Sequence, residues 1–555
     1  MNSSEADSLL PSRQSPLSRR WLSPAICLGV LFSAAITFSN PPTSTPQLLS
    51  SSPSQTAPLM LSTLPPHRAR QQSKVAHPSF PHGLGHTGFI STTNPTSNIT
   101  NNHFIWYQPC TECADPSAAP LIQWFNGGPG SPDLVGVFNQ IGNFYVDKNI
   151  EVMERCYSWC KTASCLFIDQ PVGTGYSFQD SNETIYTATS REAALQAVDV
   201  LEQFLEIFPE HQGNDYFVQG LSYAGHYAPH MGRAVLESGV EVTLKGVMVG
   251  DPAINHEREV GTYVDVFKTF GLVDAGEAAV LGRIMEASRD KASVGDCKGA
   301  FDDWNKVFND DGGSSCAPDC EFLFQKWTGS GNTENALVQE QPEEFDYFRT
   351  WLKRGDNEEM IHVAGSPMAG DSGAGFIEGG IMYEAMVEVR KKRLATSRSA
   401  SELLILLLVL RCLRALLTHL QSGDFCENTA VHFAELVKSG VDVLIHAGNL
   451  DVLLGPGTVK EGVQSILESI EEGAVAEFEG GEKEIWRVDG EIAGYKKCLR
   501  RQGKFCYVVL RNSGHEAPSY MPKNAWALQE EFMGREVEAR QCSEKEGGAG
   551  PLLDL

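Results

Sequence analysis

Three polar residues each follow an apolar run, and together they could carry proton transfer and acyl chemistry. They are Ser222 in "VQGLSYAGHY", Asp451 in "VDVLIHAGNLD" and His515 in "CYVVLRNSGHEAP". A serine hydroxyl is a poor nucleophile at neutral pH, so an imidazole must accept its proton. A carboxylate then fixes the tautomer of that imidazole and stabilises its charged form. Singly, each residue has a plain structural reading: an incidental serine in a Gly-rich turn, a capping Asp, a loop His. All three in the order Ser…Asp…His make coincidence a poor explanation.

A second stretch supplies what such a reaction needs. "WFNGGPGSPDLVG", Trp124 to Gly136, places adjacent glycines and a Pro-Gly directly after the apolar run "APLIQWF". Attack on a carbonyl builds negative charge on its oxygen, and backbone N–H groups are the usual donors to that oxygen. Tyr223, the residue after the serine, is the expected first donor. Gly128 is the expected second, because no side chain there blocks approach.

The elements that must position these residues read as alternating strands and helices. "APLIQWF", "ASCLFIDQP", "DYFVQG", "GVMVGD", "VDVLIHAG" and "KFCYVVLRN" are the predicted strands. Residues 190–208 carry Ala194, Leu195, Val198, Leu201, Leu205 and Phe208 at helical spacing. Thr189 and Glu192 stand where a capping box would start that helix. Alternation of this kind predicts an α/β fold, a mostly parallel central sheet flanked by helices. Each candidate falls just beyond the C-terminal end of a strand, where such sheets build their sites. The serine on a tight strand-to-helix turn and the Ser…Asp…His order are those of an α/β-hydrolase. Residues 81–251 and 423–540 read as the two parts of its core. Residues 252–385, rich in Gly, Asp and Cys with weak periodicity, read as a cap insertion.

The motifs "WFNGGPG", "FIDQPVGTGYSF", "GLSYAGHYAP", "HAGNLD", "WRVDGEIAGY" and "GHEAP" together resemble the serine carboxypeptidase family, over roughly residues 85–535. The resemblance implies an α/β-hydrolase with a cap, a secretory or vacuolar/lysosomal setting, and release of C-terminal amino acids from peptides at acidic pH. It places the triad on Ser222, Asp451 and His515 and the oxyanion glycine on Gly128. It also implies substrate-binding positions at Asn126, Gly127, Gln140, Leu221 and Glu516. Two of these depart from the pattern. The family grips a free C-terminal carboxylate with an Asn, here Asn126, and two glutamates that share protons in acid. Those glutamates are replaced by Leu221, which cannot donate a hydrogen bond, and Gln140, which can. Ser131 stands where a family cysteine is usual, so one family disulfide is expected to be missing. The resemblance thus implies an exopeptidase with a weakened carboxylate clamp and a flatter acid dependence. An acyltransferase or esterase on the same scaffold, or a weakly active binding paralogue, are the alternative readings. No cofactor and no metal are expected.

The rest of the chain bounds the setting. Its 555 residues carry a net charge of −26, which argues against a nucleic-acid partner. Residues 1–20 read as a cytosolic leader. Its Glu5-x-x-x-Leu9-Leu10 resembles a sorting signal but is short enough to arise by chance. Residues 21–38 are an uncharged apolar run, open to two readings: a cleaved signal peptide or a signal anchor that leaves a type II membrane protein. Residues 39–80, rich in Ser, Thr and Pro, read as a flexible stalk. Asn98 and Asn182 begin glycosylation sequons. Of 14 cysteines, 12 fall in clusters. The pairs Cys110/Cys113 and Cys316/Cys320 lack matching ligands at zinc spacing. Disulfides are therefore expected, with a pairing the sequence leaves open. Residues 386–422 hold an anomalous basic and apolar insertion, "VRKKRLATSRSASELLILLLVLRCLRALLTHL", to which no function is assigned. Residues 541–555 read as a disordered tail.

Overall fold

A computed structural model describes residues 57–93, 98–180, 187, 189–308, 322–368, 424–537, 540 and 542. The leader, the apolar run 21–38, the sequon at Asn182 and the 386–422 insertion lie outside the described residues. Among those described, no helix is long and apolar enough to cross a membrane.

The predicted strands form the centre of one sheet. In chain order the strands are β1 Lys74–His77, β2 Phe80–Thr93, β3 Thr100–Gln108, β4 Leu121–Phe125, β5 Phe144–Val146, β6 Val152–Glu154, β7 Ser164–Ile168, β8 Phe178–Gln179, β9 Asp215–Leu221, β10 Thr243–Gly250, β11 Asp442–Gly448, β12 Glu484–Val488, β13 Glu491–Arg500 and β14 Lys504–Leu510. The sheet runs β1-β2-β3-β7-β4-β9-β10-β11-β14-β13-β12, with β8 added beside β3. The six strands from β7 to β14 along that order pair parallel. Strands β4, β7, β9 and β11 are buried along nearly their whole length, as strands covered on both faces must be. Antiparallel strands close both edges: β3, β2 and β1 on one side, β13 and β12 on the other.

Helices α1 Pro66–Gln72, α2 Ser190–Ile207, α3 Ala224–Ser238, α4 Ala275–Ser293, α5 Cys297–Phe308, α6 Ala430–Lys438, α7 Pro456–Ile470 and α8 Pro522–Phe532 are the longer ones. The expected helix over 190–208 is α2, and the Thr189 hydroxyl accepts from the Glu192 N–H at its start. The insertion is chiefly helical, with its own apolar cluster around Tyr263, Phe267, Leu281, Met285, Phe308 and Phe324. Its weak periodicity in the sequence follows from the narrow buried stripe of α4, only Ala278, Leu281, Met285 and Ser288.

Part of the expected stalk is folded. Residues 57–77 contain a short turn of helix, α1 and β1, and they bury Leu61, Ala69 and Val75. Pro66 stands at the first position of α1, where a proline lacks no needed N–H. The cysteines pair Cys110–Cys113, Cys156–Cys542, Cys160–Cys165, Cys297–Cys426 and Cys498–Cys506. Cys110 and Cys113 are thus not half of a zinc site. Cys542 is tied down, although 541–555 reads as a tail.

Replacing the exposed cap Thr189 by Ala leaves an N–H of α2 without its acceptor. The expected cost is about 1 kcal/mol, read as a lowered denaturation midpoint with an unchanged slope.

Candidate active site

Register places the candidate residues at one edge of the sheet. Leu221 of β9 lies opposite Gly250 of β10, Gly250 lies opposite His446 of β11, and Gly448 of β11 lies opposite Leu510 of β14. The loops after these strands carry Ser222, Asp251, Asp451 and His515. They therefore rise from neighbouring strand ends.

Ser222 occupies a forced turn. Its φ is +64°, a left-handed conformation that a non-glycine residue rarely takes. The neighbours over-determine it: Ser222 N–H donates to Gly250 O at 2.8 Å, and Ser222 O accepts from Gly225 N–H at 2.9 Å. A Cβ on Gly225 would lie 2.1 Å from Ala253 O, so the residue type there is set by backbone contact. Helix α3 begins two residues later, leaving the hydroxyl at the turn's apex, half-buried.

The histidine and the carboxylate are joined and fully enclosed. His515 Nδ1 and Asp451 Oδ2 lie 2.7 Å apart, with side-chain exposures of 4% and 0%. Asp451 Oδ1 accepts from Leu453 N–H at 2.7 Å and Leu454 N–H at 3.1 Å, which aims its second oxygen at the ring. The backbone N–H of His515 donates to Glu334 O at 2.8 Å. Burial, the largest single influence, opposes a charge on the imidazole, but the charge and hydrogen bond of Asp451 together with the charges of Glu334 and Asp251 raise the His515 pKa above its ordinary value. The carboxylate at Nδ1 fixes the ring's orientation and leaves Nε2 turned away from it. Ser222 Oγ has no hydrogen-bond partner among the described residues. Such contacts tighten in substrate complexes.

The glycine loop lies directly over the serine. A Cβ on Gly127 would sit 2.6 Å from Ser222 Cβ and 2.7 Å from Tyr223 N, so only glycine allows this approach. Gly128 has φ +108°. Buried Asp133 props the loop, accepting from Asn126 N–H at 2.7 Å and from Ile168 N–H at 3.0 Å. Asn126 and Gln140 are buried, and the Asn126 Oδ1 and both polar atoms of the Gln140 amide have no partner among the described residues. Leu221 is buried in the apolar cluster with Phe217 and Met248. Glu516 is buried and accepts from Ser519 Oγ at 2.9 Å, and Ser519 Oγ also contacts Asn139 O at 3.0 Å.

Two acids escaped the sequence reading. Asp251 ends the β10 motif "GVMVGD" and is fully buried. Its Oδ1 accepts from Gly448 N–H at 2.7 Å, and donor atoms of Asp251, Asp451 and His515 all lie within 4.8 Å of one another. Burial first, then the charge of Asp451, push its pKa well up. The signal was present: Asp251 also lies one residue past a central strand. Glu334 is the other. Burial and the neighbouring Glu516 and Asp451 charges push it up to about 7, against the opposing pull of His515. It lies in the insertion, where no motif marks it.

A family model described as serine carboxypeptidase matches residues 78–371 and 411–535. The unmatched stretch between them overlaps the anomalous insertion. Among relatives, the venom serine carboxypeptidase of Apis mellifera is 28% identical over 466 residues, covering 83% of this chain and 86% of its own length. The probable serine carboxypeptidase CPVL of Homo sapiens is 27% identical, covering 81% and 83%. A solved prohormone-processing carboxypeptidase from Saccharomyces cerevisiae shares the fold, with TM-score 0.59 at 17% identity over 84% of this chain and 96% of that one.

Asp251→Asn preserves a neutral group at a left-handed position (φ +43°) and is expected to keep near wild-type kcat/KM. Asp451→Asn, which frees the wrong tautomer, is expected to lower kcat about 10⁴-fold. Gly127→Ala, which must push the loop off Ser222, is expected to cost about 10² to 10³ in kcat. Steady-state kinetics on a blocked dipeptide checks all three.

Proposed function

The chain belongs to the serine carboxypeptidase family and is a serine-type carboxypeptidase, and from that premise we propose how its own residues carry the reaction. Ser222 Oγ attacks the scissile carbonyl of the C-terminal peptide bond while His515 Nε2 takes its proton. Asp451 holds the ring and balances the imidazolium. The carbonyl oxygen, now negative, receives the Tyr223 and Gly128 N–H groups, neither of which donates to another acceptor among the described residues. His515 then protonates the leaving amine, and the C-terminal amino acid departs. Water, deprotonated by His515, attacks the acyl-serine and releases the shortened peptide. The observation that carries this reading is the enclosed His515–Asp451 bond beside a serine held at φ +64°.

The substrate's free carboxylate is received by the amide N–H groups of Asn126 and Gln140; Gln140 Nε2 is a buried donor with no partner among the described residues. Leu221 takes no part in that grip, because it faces apolar neighbours. Glu334 and Glu516 supply the acidic character that the clamp lacks. Below about pH 7 Glu334 is protonated and admits an anionic substrate. As pH rises through that value it gains charge and repels the carboxylate.

The five disulfides among the described residues suit an oxidising compartment, which supports a secretory route to vacuole, lysosome or the cell exterior. Residues 21–38 serve as the signal peptide or type II anchor. Asn98, which is exposed, and Asn182 serve as glycan sites.

Mass spectrometry of peptides incubated with wild type is expected to show stepwise loss of C-terminal residues, and Ser222→Ala to show none. Internal cleavage or transfer to alcohol acceptors as the main product would contradict the reading. For a free-acid blocked dipeptide, KM is expected to rise above about pH 7, and Glu334→Gln to flatten that rise. An unchanged rise in the variant removes Glu334 from substrate binding.

A further inference from the structure

A second cluster of chemistry-bearing side chains lies between α3 and α6, away from the His515–Asp451 pair. His226 and His230 are four residues apart on α3, hence on one face of it, and both are buried. Glu427 precedes α6 and His432 lies in its first turns. His230 Nε2 is 3.1 Å from Glu427 Oε2 and 3.2 Å from Oε1. His432 Nε2 is 3.3 Å from Glu427 Oε1. The two imidazole rings have centroids 4.4 Å apart. Cys426, next to Glu427, is bonded to Cys297 of α5, which pins this segment.

We propose that His230, Glu427 and His432 form a binding site for one divalent transition-metal ion of the zinc class, clipping α3 to α6. Zinc bonds to imidazole nitrogen and carboxylate oxygen are about 2.0–2.2 Å, so donor atoms at neighbouring corners of a tetrahedron stand about 3.3 Å apart. The nitrogen–oxygen separations here match that edge, and the three donor atoms lie within 4.8 Å of one another. Two imidazoles and one carboxylate are a ligand set that zinc accepts, with the fourth corner left for water.

The surroundings decide which residues bind. Asp424 and His226 also approach Glu427, but Asp424 is occupied: its Oδ1 accepts from Tyr223 OH at 2.6 Å and its Oδ2 from Ser190 N–H. His226 stacks flat on the Tyr223 ring, with centroids 4.4 Å apart. They form the wall behind the site. Binding displaces the Nε2 protons of His230 and His432. His432 then carries its proton on Nδ1, 3.8 Å from the Glu435 carboxylate, a charge contact and not a hydrogen bond. Arg233 Nη1, which donates to that nitrogen at 3.2 Å, must turn away on metal binding, and it keeps its ion pairs with Glu435 and with Glu237 at 2.6 Å. Because Tyr223 follows the nucleophile and is tied through Asp424 to this segment, the clip braces the back of the catalytic turn.

The test uses the full-length protein at pH 7, freed of metal by chelator, with ZnCl₂ in calorimetry and CoCl₂ in visible spectroscopy. The expected result is one equivalent bound, a higher thermal midpoint and the absorption bands of four-coordinate cobalt. His432→Ala and His230→Ala are expected to lose the bound equivalent and the midpoint shift, while Asp251→Asn keeps both. A wild-type cobalt spectrum like that of the free hydrated ion would overturn the site without reference to any variant. So would binding that survives in both histidine variants. Loss of the metal response with peptide release retained leaves the hydrolytic reading standing, and loss of peptide release in Ser222→Ala does not touch the metal site.

Discussion

Everything in the site depends on how negative charge is rationed around one enclosed imidazole. His515 and Asp451 are sealed from water, and a lone carboxylate there would be costly to keep ionised. Two main-chain N–H groups and the ring itself offset that cost for Asp451. Asp251 and Glu334 sit close enough to compete for the same positive charge, and burial holds both toward the neutral form. In the proposed mechanism the serine loses its proton to a ring whose charged state is stabilised and whose orientation is fixed.

The sheet makes this rationing possible. Parallel strands in register bring the ends of β9, β10, β11 and β14 to one edge, so residues separated by hundreds of positions in sequence meet through short loops. The turn at Ser222 and the loop at Gly127 are tight for the same reason. Backbone must come within contact of backbone, and any Cβ at Gly127 or Gly225 would fill the space. The disulfide Cys297–Cys426 and the insertion's own apolar cluster hold the cap over this edge, and the cap delivers Glu334.

Much of this was legible in the sequence because it is local. Apolar runs ending in a polar residue gave the central strands and the positions of Ser222, Asp451 and His515. The capping pair Thr189 and Glu192 gave the start of α2. What the sequence concealed is non-local. The edge strands β2, β12 and β13 mix buried and exposed residues, and β3, though buried, opens on the polar residues Thr100 to His103, so no clean apolar pattern marks them. Residues 57–77 look like linker by composition, yet they fold because Leu61, Ala69 and Val75 find apolar neighbours elsewhere in the chain. Asp251 and Glu334 gain their properties from burial and from each other's surroundings. Neither is visible from residue type alone.

The most direct measurement is the rate at which a fluorophosphonate probe modifies the protein, followed by peptide mapping. The account requires stoichiometric labelling on Ser222 in the native wild type. It also requires labelling slowed about a thousandfold or more when Asp451 is replaced by Asn, since the ring then presents the wrong nitrogen. Equal labelling rates in the two proteins, or modification of a serine other than Ser222, would contradict it.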